Sequence, residues 1–418
     1  NQENCFFLSD CYMAEKSEFC YECINIEKCS HCAWAYDCSD CVNVYFSSDC
    51  RGCTDCFGCV GMRSKQYYYF NENIGKEEYE KRVKKIKWSR NFLKETKENF
   101  FKLRANVPVK FYHGANVQNS SGDYMQRAER ARYVFNCRDN KDTAYMQDAW
   151  RQIEDCMDCT EIIIGQLSYE VQGVDTPHRS AFIRSGFNTI TDSFYCDMCF
   201  GISDCFGCFG LKKNQYCILN KQYSKEEYAK LKEKIIKHMR QTEEWGEYFP
   251  ASVSPFAYNE SMAQDYFPLT KEQALKDGYT WCDRLARDYT TTLSTKDLPE
   301  TFEEVGVNIS EEIIQCSTQN SAKGIEKYPL CTTAFKITPL ELSLYKILNL
   351  PIPEKCFPCR RQDRFALRNP RKLWHRKCMC SKKHTHHDGP CRVEFETTYS
   401  PDRKEIVYCE KCYQQEVY

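Results

Sequence analysis

Written in nines from Cys11, the first part of the chain reads CYMAEKSEF, CYECINIEK, CSHCAWAYD, CSDCVNVYF, SSDCRGCTD, CFGCVGMRS. Cysteines fall in two columns, Cys11, Cys20, Cys29, Cys38 and Cys56 in one and Cys23, Cys32, Cys41, Cys50 and Cys59 in the other. After the second column comes a strand-like alternation, Ile24 and Ile26, Ala33 and Ala35, Val42 and Val44. A fixed short period with β-type alternation predicts stacked coils in which equivalent residues form ladders. Nine residues at about 3.3 Å each close too small a loop to hold side chains, so two nonapeptides per turn are expected, one on each face. The fold class expected is mainly β: a cysteine-laddered right-handed β-solenoid or thin β-roll with inserted helices, followed by two small C-terminal zinc-ribbon-like modules.

The pattern returns downstream. DCFGCVGMRSKQYYYFNENIGKEEY, residues 55–79, and DCFGCFGLKKNQYCILNKQYSKEEY, residues 204–228, are identical at 13 of 25 positions at an offset of 149, an internal duplication. In each copy a cysteine-rich stretch ends in an aromatic strand and runs into a helix; the second helix opens on Ser224 as N-cap with Glu227 closing a capping box. Between the copies, YMQRA at Tyr124 and YMQDA at Tyr145, then Cys156-x2-Cys159 and Cys196-x2-Cys199, read as less regular coils. The boundaries expected are 1–74 for the first solenoid copy, 75–105 for a helical insertion and 106–223 for the second copy. A helix over 224–243 and an aromatic, Pro-rich strap over 244–300 follow; the strap carries a short helix begun by Thr270 and Gln273 and stopped by Gly278. A degenerate zinc-ribbon-like module over 301–366 and a zinc ribbon over 367–418 complete the chain.

Three readings compete for the cysteines before residue 220: buried thiols filling a narrow core, a ladder of disulfides, or metal and redox chemistry. Ser47 in the first column, and Ala14 and Tyr68 in the second, favour filling, because small or apolar residues replace Cys there without a ligand's chemistry. Parallel Cβ vectors on adjacent strands suit a disulfide poorly. Redox or metal work would need thiolates stabilised by positive charge or a metal.

Composition narrows the class. The chain has 418 residues, 30 cysteines, 28% charged residues and a net charge of -1, so no global charge draws it to nucleic acid or membrane. It contains no apolar run of the roughly 18 residues that a membrane span needs, and NQENCFFLSD does not read as a signal peptide, so a cytoplasmic location is expected. Cys-x2-Cys pairs beside basic residues suit intracellular metal sites better than a secreted disulfide framework. His31, His113, His178 and His238 stand in no catalytic spacing, and the phosphate-loop, nucleophile-elbow and His-Glu-x2-His signatures are absent, so no enzyme is expected.

The sharpest chemical signal lies near the C-terminus. Cys378, Cys391, Cys409 and Cys412 form two knuckles close to zinc-ribbon spacing, the first expanded. EFETTYSPDRKEIVYCEKCY reads as a β-hairpin turned at Ser400-Pro401-Asp402 that delivers the second pair. Cys380 competes with Cys391; Cys391 precedes the hairpin strand by a knuckle's short step and is preferred, with CSKKHTHHDGP as an insertion. Cys380 with His384, His386 and His387 offers donors for a further metal, against a plain reading as an exposed polar loop. A weaker set, Cys316, Cys331, Cys356 and Cys359, brackets a helix opened by Thr338, Pro339 and a Glu341 box. One zinc ion is expected and a second is compatible with the spacing.

FKITPLELSLYKILNLPIPEKCFPCRRQDRF, NPRKLWHRKC and FETTYSPDRKEIVYCEKCYQQEVY, with DCFGCFGLKKNQYCILNKQYSKEEY upstream, give the chain its family likeness. It resembles uncharacterised cysteine-rich, zinc-ribbon-ending proteins of ultra-small, host-dependent bacteria of candidate phyla. The resemblance spans most of the chain and implies metal binding and a bacterial origin. Those proteins carry a tight Cys-x2-Cys before the Phe-[Lys/Arg]-Ile motif, where CTTAF here keeps only Cys331.

Residues 355–383 hold eleven Lys or Arg against one acid, Asp363. Arg360, Arg361, Arg364, Arg368, Arg371, Lys372, Trp374, Arg376 and Lys377 interleave charge with an aromatic, as a backbone-binding surface for RNA or DNA would. The leading expectation is therefore a non-enzymatic zinc protein, a solenoid scaffold whose C-terminal ribbons contact nucleic acid or a ribonucleoprotein. The alternatives are a protein-interaction scaffold using the solenoid face with purely structural zinc, and a thiol redox or metal-storage protein.

Overall fold

The computed structural model describes residues 2–145, 147, 150–154, 165–166, 169–173, 177–283, 289–320 and 328–417. Cys156, Cys159 and part of the YMQDA stretch lie outside them. The chain is mainly β with a few helices. Two ten-stranded sheets, one within residues 2–73 and one within residues 114–222, are built almost wholly of short parallel strands.

In the first sheet the pairing step is constant. Tyr12 pairs with Ile24, Ala33 with Tyr45, Val42 with Thr54 and Thr54 with Gln66, each twelve residues on. Within each step every third residue, from Asn4 through Asp10, Met13 and Asn25 to Phe70, takes a left-handed φ, a glycine serving at positions 52, 58 and 61. The residue after each turns inward: Cys20, Cys23, Ile26, Cys29, Cys32, Ala35, Cys38, Cys41 and Val44 form one buried column of side chains. The unit is thus a triplet and the step four triplets, which corrects the expectation of two nonapeptides per turn. Cysteines three, six or nine apart fit either step; the left-handed corner decides between them.

Asn and Asp tolerate such corners, whereas aromatic residues pay for them. Stacking between equivalent corners offsets that cost. Phe7 stacks on Phe19 at 5.3 Å, Phe19 on His31 at 4.8 Å and Trp34 on Phe46 at 4.4 Å. Asn25 donates to Asp37 at 2.9 Å and Asn43 to Asp55 at 3.0 Å, again one step apart.

The interior thiols are satisfied locally. Cys20 Sγ donates to the carbonyls of Glu18 at 3.2 Å and Cys29 at 3.7 Å; Cys32 Sγ does the same to Ser30 at 3.3 Å and Cys41 at 3.6 Å. Burial pushes the Cys23 thiol well above its ordinary range. Cys20, Cys23, Cys29, Cys32, Cys38, Cys41, Cys50, Cys53, Cys56 and Cys59 form no disulfide.

The ladder's outer face carries Tyr21, Trp34, Tyr36, Phe46 and Phe57, covered by Phe100, Ile314, Ile337, Leu344 and Tyr345. Phe100 lies on the helix Arg90–Asn106, whose N-cap Ser89 accepts from the Phe92 amide. This helix is separate from Lys76–Lys84, so the helical insertion expected over 75–105 consists of two helices.

The second sheet begins less regularly. Gly114 pairs with Met125 eleven residues on, Gly122 with Val134 twelve on, and Pro177 with Ile190 thirteen on, before the step of twelve returns at Thr191 and Ser203. A Cβ at Gly114 or Gly122 would stand 1.9 or 1.8 Å from the partner's carbonyl oxygen, at φ +148° and +139°, so both positions require glycine. The duplicated segments hold matching elements: strand Thr54–Phe57, strand Gln66–Tyr69, Glu72–Asn73 and helix Lys76–Lys84 correspond to Ser203–Phe206, Gln215–Ile218, Lys221–Gln222 and Lys225–Gln241. Ser224 and Glu227 form the expected box. No described helix is long and apolar enough to cross a membrane.

Candidate metal centres

Two groups of four cysteines come together, and each could hold a metal ion. In the first, Cys316 follows the strand Ile314–Gln315, which pairs antiparallel with Ala334–Phe335, and Cys331 precedes that partner. Cys356 is the N-cap of the helix Phe357–Leu367 and Cys359 lies in its first turn, where the positive end of the helix favours thiolate. Cys356 and Cys359 are 3.4 Å apart, Cys356 and Cys331 3.8 Å, Cys316 and Cys359 4.0 Å. The Cys356 amide donates to Cys316 Sγ at 3.3 Å, and the Thr333 amide to Cys331 Sγ at 3.3 Å. Glu341 does not close the box on Thr338; it accepts from the Tyr345 hydroxyl and the Arg360 guanidinium instead.

In the second group, Cys378 follows the strand Trp374–Lys377, Cys391 precedes Glu394–Thr397, and Cys409 and Cys412 flank the start of the helix Glu410–Val417. Cys391 and Cys409 lie 4.0 Å apart and the Cys409 amide donates to Cys378 Sγ at 3.2 Å. Cys391, preferred over Cys380, is the member of this quartet. Cys380 instead groups with His384 and His387, while His386 and His387 also gather with Cys391 and Cys412, their Nε2 atoms 3.4 and 3.1 Å from Cys412 Sγ.

The expected hairpin is not formed. Glu394–Thr397 pairs with Trp374–Lys377, while Val407–Tyr408 pairs in parallel with Val109–Lys110 at the entrance to the second sheet. A turn survives, with the Arg403 amide donating to the Ser400 carbonyl at 3.1 Å. The strands part because the residues between them are held by the second sheet: Thr397 donates to the Phe111 carbonyl, Thr398 to Asp123, and Tyr399 Oη lies 3.1 Å from His113 Nε2. His113 Nδ1 in turn lies 3.0 Å from Asp123, and its Nε2 3.6 Å from Asp37 of the first sheet. Burial opposes charge on His113, but the two carboxylates outweigh it and raise its pKa; burial likewise opposes the charge on Asp123, and His113 and Thr398 lower its pKa in spite of that.

The basic segment corrects a second expectation. Arg360, Arg364, Arg368 and Arg371 are buried, so they are not part of an exposed contact face. Arg360 pairs with Asp10 at 2.6 Å and Glu341 at 2.9 Å, and Arg364 with Asp10 at 2.8 Å. Arg368 donates to Asn136 at 2.7 Å while lying over the rings of Tyr12 and Tyr124, and Arg371 donates to Gln147 at 2.6 Å over Tyr266. Arg361 pairs with Asp265 at 2.6 Å, and Arg376 donates to the Tyr399 and Ser400 carbonyls. Lys377, paired with Glu394, and Lys372, over the Trp374 ring, stay at the surface. The physical reason is the acid at the other end: Asp10 sits buried at a ladder corner and needs guanidinium partners. Sequence reasoning had no signal for it, because Asp10 and Arg360 are 350 positions apart.

A cavity of about 1140 Å³ lies between the two sheets, lined by residues that include Glu15, Lys28, Asp40, Arg138 and Tyr112. Several of its charges pair with one another, Arg138 with Glu15 at 3.0 Å and Lys28 with Asp40 at 3.8 Å.

No known protein family matches the chain and no curated protein does either. Among solved structures, a UDP-N-acetylglucosamine acyltransferase from Campylobacter jejuni aligns at 10% identity over 58% of this chain and 90% of that one, with a TM-score of 0.10. A chain described as an acetyltransferase from Desulfovibrio desulfuricans G20 aligns at 10% identity over 46% of this chain and 52% of that one, with a TM-score of 0.08. Neither likeness carries an argument about fold or activity.

Proposed function

We infer that this is a non-enzymatic zinc protein whose cysteine-filled coils close into a solenoid scaffold for a protein partner. Zinc at Cys316, Cys331, Cys356 and Cys359, and at Cys378, Cys391, Cys409 and Cys412, fastens the C-terminal modules. Four thiolates about 2.3 Å from zinc stand about 3.8 Å apart along the edges of a tetrahedron; four of the sulfur pairs lie 3.4 to 4.0 Å apart and all lie within 4.8 Å, which suits a site of that size. Four protein sulfurs leave no position for a reacting water, so the role of these ions is structural.

The observation that carries the scaffold reading is the burial of Arg360, Arg364, Arg368 and Arg371. The densest basic stretch of the chain acts as an internal strut joining the C-terminal modules to both sheets, which removes most of the charge that phosphate binding would draw upon. Interior thiols that are buried away from solvent and donate to carbonyls also argue against a redox store.

The test is fluorescence anisotropy of full-length protein against mixed-sequence RNA and DNA, at about 50 and 200 mM salt, beside capture of partners from an extract. A single protein partner with no salt-sensitive nucleic-acid binding supports the scaffold. Salt-sensitive binding that disappears in a Lys372→Ala, Lys377→Ala variant would instead establish a nucleic-acid contact at the remaining basic edge.

A further inference from the structure

We propose that Cys380, His384 and His387 bind a third, exchangeable divalent ion of the zinc class beside the C-terminal four-thiolate centre, with one coordination position left for an outside ligand. The proposal goes beyond the two structural ions and rests on the neighbouring quartet being complete with its four thiols, without His387, whose Nε2 lies 3.1 Å from Cys412 Sγ of that quartet.

The three donor atoms lie within 4.8 Å of one another, and Cys380 Sγ is 3.3 Å from His384 Nε2. Cys380 is 1% exposed and the His384 side chain 3%, so the loop that reads as polar in sequence folds its donors inward. A backbone bridge between His384 and His387 sets the two rings side by side, centroids 5.2 Å apart.

The second observation is the tautomer each ring must adopt. His384 Nδ1 lies 2.9 Å from Gln415 Oε1. That amide cannot be reversed, because its nitrogen donates to Thr385 Oγ1 at 2.5 Å and its oxygen accepts from the Thr385 amide at 3.1 Å. His384 therefore carries its proton on Nδ1. His387 Nδ1 lies 2.7 Å from the Gly389 carbonyl, which only accepts, so its proton is on Nδ1 as well. With Nδ1 of each ring so engaged, His384 Nε2 faces Cys380 Sγ at 3.3 Å and His387 Nε2 faces Cys412 Sγ at 3.1 Å at the border of the four-thiolate centre, the arrangement by which outer partners orient metal-binding imidazoles. His384 Nε2 also faces Glu416 Oε1 at 3.2 Å. A bare imidazole nitrogen and a carboxylate at that distance repel unless a cation or a proton stands between them. Three protein ligands define an open site, and Glu416 borders the remaining position.

Zinc content is measured by elemental analysis on full-length protein purified without oxygen and passed through gel filtration, for the wild type and for Cys380→Ser and His384→Gln, with circular dichroism and total thiol count confirming that each is folded. The expected result is about three ions in the wild type and about two in either variant. About two in all three proteins overturns the third site and leaves the structural zincs standing; fewer than two in all of them overturns those instead. A second measurement does not depend on purification: Co2+ added after brief chelation should give visible bands that shift with thiocyanate in the wild type and not in His384→Gln. Bands that ignore thiocyanate, or that persist unchanged in His384→Gln, overturn the proposal and leave thiol-to-imidazole hydrogen bonds as the reason for the geometry.

Discussion

Cys41 shows what an interior position asks of a side chain. Its thiol donates to the carbonyls of Ser39 at 3.2 Å and Cys50 at 3.5 Å, and the equivalent positions at Ser17 and Ser47 are filled by serine. Cys41→Ser should therefore cost no more than about 1 kcal/mol, whereas Cys41→Leu overfills the column and should cost about 1–3 kcal/mol, both read by urea unfolding. His113 gives a pH dependence with a definite sign. Its folded pKa is raised, so the stability it contributes is complete below its unfolded value near 6.5 and is lost as pH rises through the folded value. Asp123 is lowered, so its contribution is present above about 3.9 and is lost as pH falls through its folded value. Unfolding of the wild type and of His113→Gln should differ most between about pH 4 and 6.5 and converge at alkaline pH; a gap that stays constant with pH would remove the ion pair from the account.

Elements are shaped by corners and caps. The helix Lys225–Gln241 was legible down to its box because the signal is local, and Ser224→Ala should cost about 1 kcal/mol. The glycines at 114 and 122 carry no signal in the sequence, since their need arises only when a neighbouring strand approaches. Gly122→Ala drives a Cβ into the Val134 carbonyl and should destabilise the start of the second sheet by more than about 2 kcal/mol, seen as early loss of amide protection over residues 114–141 in hydrogen exchange. The repeat was half legible. Cysteine spacing marks the inward residue, but the corner that sets a step of twelve is a backbone angle spread over Asn, Asp, Lys, Phe and Trp alike.

Across the whole molecule, buried arginines join the C-terminal modules to both sheets, through ion pairs to Asp10 in the first and hydrogen bonds to Asn136 and Gln147 in the second. Arg360→Ala leaves Glu341 with the Tyr345 hydroxyl but no cationic partner, and Asp10 with Arg364 alone. It should destabilise the protein by about 3 kcal/mol, while Lys377→Ala at the surface should change stability by less than about 1 kcal/mol. If the two variants unfold alike, the segment is not a strut.

Local rules were enough for what the chain states locally: a mainly β architecture from short-period alternation, the inward cysteines, the capped helices, and two quartets of cysteines whose spacing brings them together. Tertiary structure alone decided which strand pairs with 394–397, that the basic segment turns inward to Asp10, and that the donor atoms of Cys380, His384 and His387 come within 4.8 Å of one another. The reason is physical. Propensity and periodicity act over a few residues, whereas the burial of a charge and the proton on an imidazole depend on partners that the fold brings from elsewhere in the chain.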